Sequence, residues 1–430
     1  MAGKPKLSRR RFLQASAATL AVPTILPSGV LAQPGRPGAN DRIGIGYIGL
    51  GGMGNNHLRP DAVALCEVDA NRLAEAAKRV EGNPFLCKDY RYLLDRQDVD
   101  AVMIATPDHW HGMQTVHACQ AGKDVYVEKP TCRTIQEGQA MVNAAKRYRR
   151  IVQVGAQGRS HLNAHAACEF IRNGQLGRIS RVEVWHENNW TGGWGEDTAP
   201  PPELDWDLWL GPARYVPYNP LRCHFNFRWF MDFGGGFIRD RGNHVLSIVM
   251  WCMNQDHTGP ISVEATGAPA REGIFDVPVT MEVKWEFKNP DWTLTWSQPG
   301  ARYNNIYWGA KYYGDRDTLI VSGGDGGCDT EPKAKEYRPP ADGVHVPRMP
   351  GSQNDAGARH RQNWLECIRT RARPVMSIDI GYRVVTLAII ANISYLLGRS
   401  LNWDPVAQRF SGDEEANRFL AQPYRAPWHL

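Results

Sequence analysis

At 430 residues, 42% of them hydrophobic and 22% charged, the chain has the composition of a globular protein and the length for two domains around a substantial core. Its formal net charge of +5 comes entirely from Lys4, Lys6, Arg9, Arg10 and Arg11, which lie in a stretch, residues 1–32, without an acid. The remainder is neutral and lacks the basic excess on which nucleic-acid binding rests, so no nucleic-acid partner is expected. The nine cysteines include no C-x-x-C pair, which excludes a zinc ribbon and argues against a disulfide framework. Cys66 and Cys119 sit among apolar neighbours and read as small core residues.

Ser8-Arg9-Arg10-Arg11-Phe12-Leu13 opens the chain, followed by an apolar run over 15–26 and the residues Val30-Leu31-Ala32. Charged region, apolar region and cleavage site come in the order of an export signal, and the paired arginines resemble a twin-arginine signal. The run is too short for a bilayer span and contains Pro23 and Pro27, which argues against an anchor. The expected location is periplasmic or otherwise extracytoplasmic, with no membrane span in the mature chain. Residues 33–41 read as a flexible lead-in.

Residues 43–48 read as a buried strand that runs into Gly49-Leu50-Gly51-Gly52-Met53-Gly54, a G-x-G-x-x-G turn. Gly49 permits the tight turn, Gly51 a close approach of a pyrophosphate, and Gly54 the packing of helix on strand. A second strand over 62–66 ends at Glu67 and Asp69, and Glu67 lies 18 residues after Gly49, where an acid meets the ribose hydroxyls and favours NAD. Arg72 leaves NADP open. The helix between Gly54 and Pro60 must be short. Helices follow over 71–80, 111–121 and 134–148, and strands over 99–105, 124–127 and 151–155. This alternation predicts an α/β chain with a doubly wound parallel sheet of Rossmann type over residues 42–158. It places Thr106, Pro107, Glu128, Lys129 and Gln157 on one rim at the cofactor, with His111 starting a helix near it. His109, His111 and His117 invite a metal reading, but their spacing is poor and no acid or cysteine completes a shell, so no metal is expected.

Glu128-Lys129-Pro130 after a strand, and Gly234-Gly235-Gly236 leading through Asp240 and Gly242 to His244, resemble the Gfo/Idh/MocA oxidoreductase family (glucose–fructose oxidoreductase, inositol dehydrogenase, MocA). Residues 204–213 and the ending Tyr424-Arg425-Ala426-Pro427-Trp428 resemble its secreted bacterial members. Ser247 stands where the family often has a further acid. The resemblance implies oxidation of a carbinol by hydride transfer, with Lys129 polarising the oxygen, His244 as general base and Asp240 as the orienting carboxylate. An ordinary histidine pKa suits that base, and Asp240, four residues before His244, shares its face if the stretch is helical. Singly, a Lys-Pro after a strand reads as a solvated loop and a helical His as a core residue; the combination carries the reading.

Beyond residue 158 the pattern alternates, over 179–186, 261–265, 279–287 and 292–296, as in an antiparallel sheet with one covered face. Residues 159–430 are read as an α+β substrate domain with an open, mostly antiparallel sheet. The resemblance implies that this sheet makes a homo-oligomer, a dimer or tetramer. Trp190, Trp194 and Trp229 with Arg159, Arg222, His224 and Arg228 suit a saccharide or cyclitol. Residues 326–358 read as a long surface loop, and a helix over 380–397 packs between the halves. Export of a folded dehydrogenase implies tightly held, recycled NAD. Redox-neutral glycoside cleavage is the alternative chemistry, and a non-catalytic sugar-binding protein the alternative class.

Overall fold

The computed structural model describes residues 42–430 apart from Asn304, Gly326 and residues 348–354, together with Gly38. The expected export signal, 1–32, lies outside the described residues, as does the 33–41 lead-in except for Gly38.

The first sheet contains β1 (Ile45–Ile48), β2 (Ala64–Cys66), β3 (Phe85–Cys87), β4 (Ala101–Ile104), β5 (Asp124–Glu128) and β6 (Val152–Gly155). They run parallel in the order β3-β2-β1-β4-β5-β6. Every residue of β1, β4 and β5 is buried, as expected for strands covered on both faces. The intervening helices are α1 (Gly52–His57), α2 (Ala70–Ala77), α3 (Tyr90–Leu94), α4 (Asp108–Gln120) and α5 (Ile135–Arg147). Local chemistry starts them. Asp69 accepts from the amides of Asn71 and Arg72 to cap α2, and Thr134 with Glu137 forms a capping box on α5. Strand β3 and helix α3 were not expected from the sequence.

The second sheet has nine strands in the order β13-β12-β11-β7-β10-β9-β8-β14-β15. These are β7 (Ile179–Trp185), β8 (Ser262–Thr266), β9 (Met281–Phe287), β10 (Trp292–Gln298), β11 (Gly309–Gly314), β12 (Thr318–Ser322), β13 (Asp329–Thr330), β14 (Leu401–Asp404) and β15 (Arg409–Phe410). Strict alternation of buried and exposed residues along β9 gives the sheet one covered face. Pairing is antiparallel except between β7 and β10, which run parallel, so the sheet is mixed. The helices of this part are α6 (Leu162–Arg172), α7 (Trp206–Leu210), α8 (Gly242–Cys252), α9 (Pro332–Glu336), α10 (Ala356–Thr370), α11 (Ile378–Leu397) and α12 (Glu414–Arg418). The expected surface loop over 326–358 is interrupted by β13, α9 and the start of α10, because Glu331 and Lys333 tie it back to β12 through Ile320 and Thr318.

Helix α11 packs against α5 of the first half and against β8 and α8 of the second. By length and composition it could cross a membrane, yet 78% of that window is buried inside the fold. Strand β6, one of the two edge strands of the first sheet, is sealed by the chain just before α11. The Val154 amide donates to the Met376 carbonyl at 2.9 Å, Gln153 bridges to Ser377, and the His360 ring bonds the Val154 carbonyl at 2.8 Å.

Candidate active site

A cleft of about 490 Å³ opens at the carboxyl ends of β1, β2, β4 and β5. Its floor is the glycine turn. Gly49 has φ +86°, and a Cβ there would lie 2.8 Å from the Ala105 carbonyl carbon. A Cβ on Gly54 would lie 1.9 Å from the Gly49 carbonyl oxygen, so Gly54 lets α1 pack beneath the turn, whereas one on Gly52 would meet nothing within 4 Å. Gly51, Gly52 and Met53 line the cleft, with Thr106 and Pro107 on its far wall. Glu67 also lines it, but its carboxylate clamps the turn, accepting from the amides of Leu50 at 2.7 Å, Val68 at 2.8 Å and Asp69 at 3.1 Å. Burial pushes its pKa up against the pull of those amides. Asp69 and Arg72, 3.6 Å apart, are the further charged groups on that rim.

Lys129 closes β5 beside a cis bond to Pro130. Its Nζ donates to Oδ1 of Asp240, and Nε of Arg228 lies 3.2 Å from the same oxygen. Burial alone would raise the Asp240 pKa, but the two cations outweigh it and hold the carboxyl well below the usual range. Asp240 sits in the turn before α8 rather than on it, and His244 in the first turn of that helix. The expectation of an ordinary histidine pKa does not hold. Burial, and next the Lys129 charge, push His244 down to about 4. The ring is therefore neutral at neutral pH, and a weaker proton acceptor than the sequence suggests.

Behind Lys129 lies a buried relay. Glu128 Oε2 accepts from the Lys129 amide at 3.1 Å, while Oε1 is held by His57 Nε2 at 2.8 Å and Gln157 Nε2 at 2.7 Å. Arg361, which can only donate, lies 3.3 Å from His57 Nδ1, so that nitrogen accepts and Nε2 carries the proton. Burial would raise the Glu128 pKa, but the His57 bond, Lys129 and the neighbouring His244 together outweigh it and hold it at about 2.

Asp108, at the start of α4, was missed by the sequence reading. It lines the cleft, is 4% exposed, and its side chain makes no hydrogen bond or ion pair among the described residues. Burial, relieved only in part by Arg239 and Arg228, pushes its pKa up to about 7. A folded-state pKa above the unfolded value of 3.8 favours folding at low pH, and that contribution is lost as pH rises from about 4 to about 7. Asp108→Asn is neutral throughout. Denaturant melts of the NAD-free protein should show it level with wild type near pH 4 and more stable at pH 8, by up to roughly 4 kcal/mol. Equal stability at both pH values would count against the buried acid.

Several expected contacts are engaged elsewhere. Arg159 is buried in an ion pair with Asp256 at 2.5 Å and donates to the Ser247 carbonyl at 2.7 Å, so it braces α8 and does not reach the cleft. His111 brackets the carbonyls of Pro130 and Thr106 at 2.7 and 2.8 Å, and Gln157 serves Glu128; both lie behind the cleft wall. Arg222 lies over the Phe230 ring at 5.1 Å, and Trp194 is 73% exposed with its ring against Gly192. His224 and Arg228 do line the cleft. His109 bonds the Trp209 carbonyl at 2.9 Å and His117 the Tyr90 hydroxyl at 2.7 Å. Among the described residues no group of three His, Cys, Asp or Glu could hold a metal.

The model of an oxidoreductase family, NAD-binding Rossmann fold (Gfo/Idh/MocA), matches residues 43–156, and that family's C-terminal alpha/beta domain matches 171–277 and 275–430. The chain belongs to the Gfo/Idh/MocA oxidoreductase family. Among curated relatives, a glycosyl hydrolase family 109 protein of Shewanella pealeana is 29% identical over 43% of this chain and 47% of its own length. Inositol 2-dehydrogenase of Gluconacetobacter diazotrophicus is 30% identical over 40% and 56%, respectively. The chain thus spans about half the length of these Gfo/Idh/MocA relatives. Among solved structures, aldose-aldose oxidoreductase from Caulobacter crescentus shares the fold with a TM-score of 0.61 at 19% identity, over 84% of this chain and 99% of that one. A levoglucosan dehydrogenase in complex with NADH and levoglucosan does so with a TM-score of 0.58 at 21% identity, over the same shares.

Proposed function

We propose that the protein is an NAD-dependent oxidoreductase that removes hydride from a carbinol of a sugar, sugar derivative or cyclitol. The observation that carries this reading is the Lys129–Asp240–Arg228 cluster, two-charged-to-one and nearly buried, at the edge of a cleft that fits a dinucleotide. The fit rests on the glycine turn. Gly52 leaves free the space a Cβ would fill, and Gly49, Gly51, Gly52 and Met53 would take the diphosphate, Glu67 and Asp69 the adenosine side, and Thr106, Pro107 and Glu128 the nicotinamide side.

A bound nicotinamide supplies the hydride acceptor. Lys129 donates from Nζ to the substrate hydroxyl and stabilises negative charge as it develops on that oxygen. Asp240 anchors the ammonium, and His244, unprotonated above about pH 4, takes the hydroxyl proton. NAD is favoured over NADP by the acids at the end of β2. A second reading, redox-neutral glycoside cleavage through a transient ketone, is favoured by the glycosyl hydrolase family 109 likeness.

The reading extends to export by the twin-arginine route, on the strength of residues 8–32, and to a homo-oligomer built on the open face of the second sheet. An exported dehydrogenase needs a resident cofactor. Mature protein purified without added NAD and then denatured should release stoichiometric NAD or NADH on chromatography. An empty protein would remove the resident-cofactor reading and leave a conventional dehydrogenase.

A further inference from the structure

Trp190 and Phe225 form an aromatic shelf, 51% and 50% exposed, with Phe225 in the lining of the cleft and Trp190 against it. The shelf is braced from below. Trp190 lies stacked on Trp229, ring centroids 5.1 Å apart, and Trp229 is wholly buried edge-on against Phe237 at 4.9 Å. The space beneath Trp190 is therefore filled, and the ring cannot retreat into the core. Phe225 lies 5.6 Å from Trp190 and carries the Arg228 guanidinium 4.5 Å above its ring. The loop after Trp190 is tied down as well. Gly192 and Gly193 have φ +87° and +76°, and their carbonyls accept from the amides of Phe275 and Ile274 at 3.2 Å each.

The shelf is continuous with the chemistry. Phe225 and Arg228 line the cleft, and Arg228 reaches the Asp240 oxygen that holds Lys129. Successive contacts link Lys129, Asp240, Arg228, Phe225 and Trp190. Next to Asp240, Arg241 pairs with Glu187 at 3.1 Å, both partly exposed. A pyranose has a C–H face that stacks on an aromatic ring and a hydroxyl rim that takes charged donors and acceptors. A braced aromatic surface that carries Arg228 on Phe225 offers both.

We propose that Trp190 and Phe225 form a second sugar subsite beside the carbinol-oxidising position, so that the substrate is a glycoside of at least two rings. This rests on the function proposed above and narrows its substrate class. The rival occupant is the adenine of the cofactor, since His224 and Arg72 adjoin Phe225 along the same cleft.

The test follows reduction of bound NAD in the holoenzyme. Cellobiose, maltose and lactose are the two-ring probes, and glucose, galactose and myo-inositol the one-ring probes. At least one disaccharide should exceed every one-ring probe in kcat/KM by about tenfold or more, Trp190→Ala should lower that ratio about tenfold, and Trp190→Phe should retain most of it. One-ring turnover by Trp190→Ala reports that the variant is folded. The subsite is overturned if one-ring probes react as well as disaccharides in wild type. It is overturned equally if the ratio survives Trp190→Ala, or if the variant loses NAD affinity with the ratio unchanged. If no sugar of either size reduces the bound NAD, the proposed function itself fails and takes the subsite with it.

Discussion

Lys129→Met is expected to lower kcat by about 10³- to 10⁴-fold while NAD remains bound. Methionine keeps the unbranched, apolar stem and removes the only side-chain donor that Lys129 offers an alcohol oxygen. The fold should tolerate the change, because Asp240 keeps Arg228 at 3.2 Å and is not left as an unpaired buried charge. Turnover and bound-NAD content, measured on one preparation, separate the readings. A sugar-binding protein without catalysis would show no turnover in wild type and unchanged sugar binding in the variant. Full activity in the variant would remove Lys129 from the chemistry.

Gly54→Ala should be strongly damaging to the cofactor half. The new Cβ would lie 1.9 Å from the Gly49 carbonyl oxygen, a backbone atom that cannot swing aside. Either α1 leaves the sheet or the turn opens. The expected cost is about 3 kcal/mol of stability and a fall in NAD affinity of at least about 100-fold. Gly52→Ala is the matched comparison. Its Cβ meets no protein atom within 4 Å but enters the space the diphosphate would use, so NAD affinity should fall with the melting temperature of the NAD-free protein unchanged. Equal effects of the two substitutions on stability would contradict the packing role of Gly54.

The first sheet was readable because its signals are local. Continuous apolar runs mark β1, β4 and β5, and the turn and cap residues stand beside the elements they start. Strand β3 escaped because Phe85–Cys87 is short and only partly buried, which leaves no periodic pattern to detect. Strands β11 and β12 escaped for a related reason, since Gly309 and Gly314 break the apolar sequence at either end of β11. The parallel β7–β10 pair could not be foreseen, because alternation reports which face is buried and not the direction of the neighbour. At the site, Lys129 and Asp240 were legible as motifs, although their contact spans 111 residues. Arg159 was misplaced because its partner Asp256 is 97 residues away, and nothing near Arg159 marks it as paired. Asp108 and His57 lay inside recognised segments, but their significance comes from burial and from Glu128, which only folding supplies.

The seal on β6 bears on how the chain is made. His360 reaches back 206 residues to the Val154 carbonyl, and Met376 and Ser377 complete the same edge. During synthesis this edge strand of the first sheet therefore waits for more than 200 residues of chain before its backbone is covered. At a ribosomal pace of about 5–20 residues per second, that is roughly 10–40 s with an open strand edge, the kind of surface that recruits another strand. Nascent chains stalled anywhere in that interval are expected to partition to chaperones or aggregates, and a fragment ending before residue 377 should not behave as a free-standing nucleotide-binding module. Maturation is thus gated by residues 360–377, far downstream of the sheet they close.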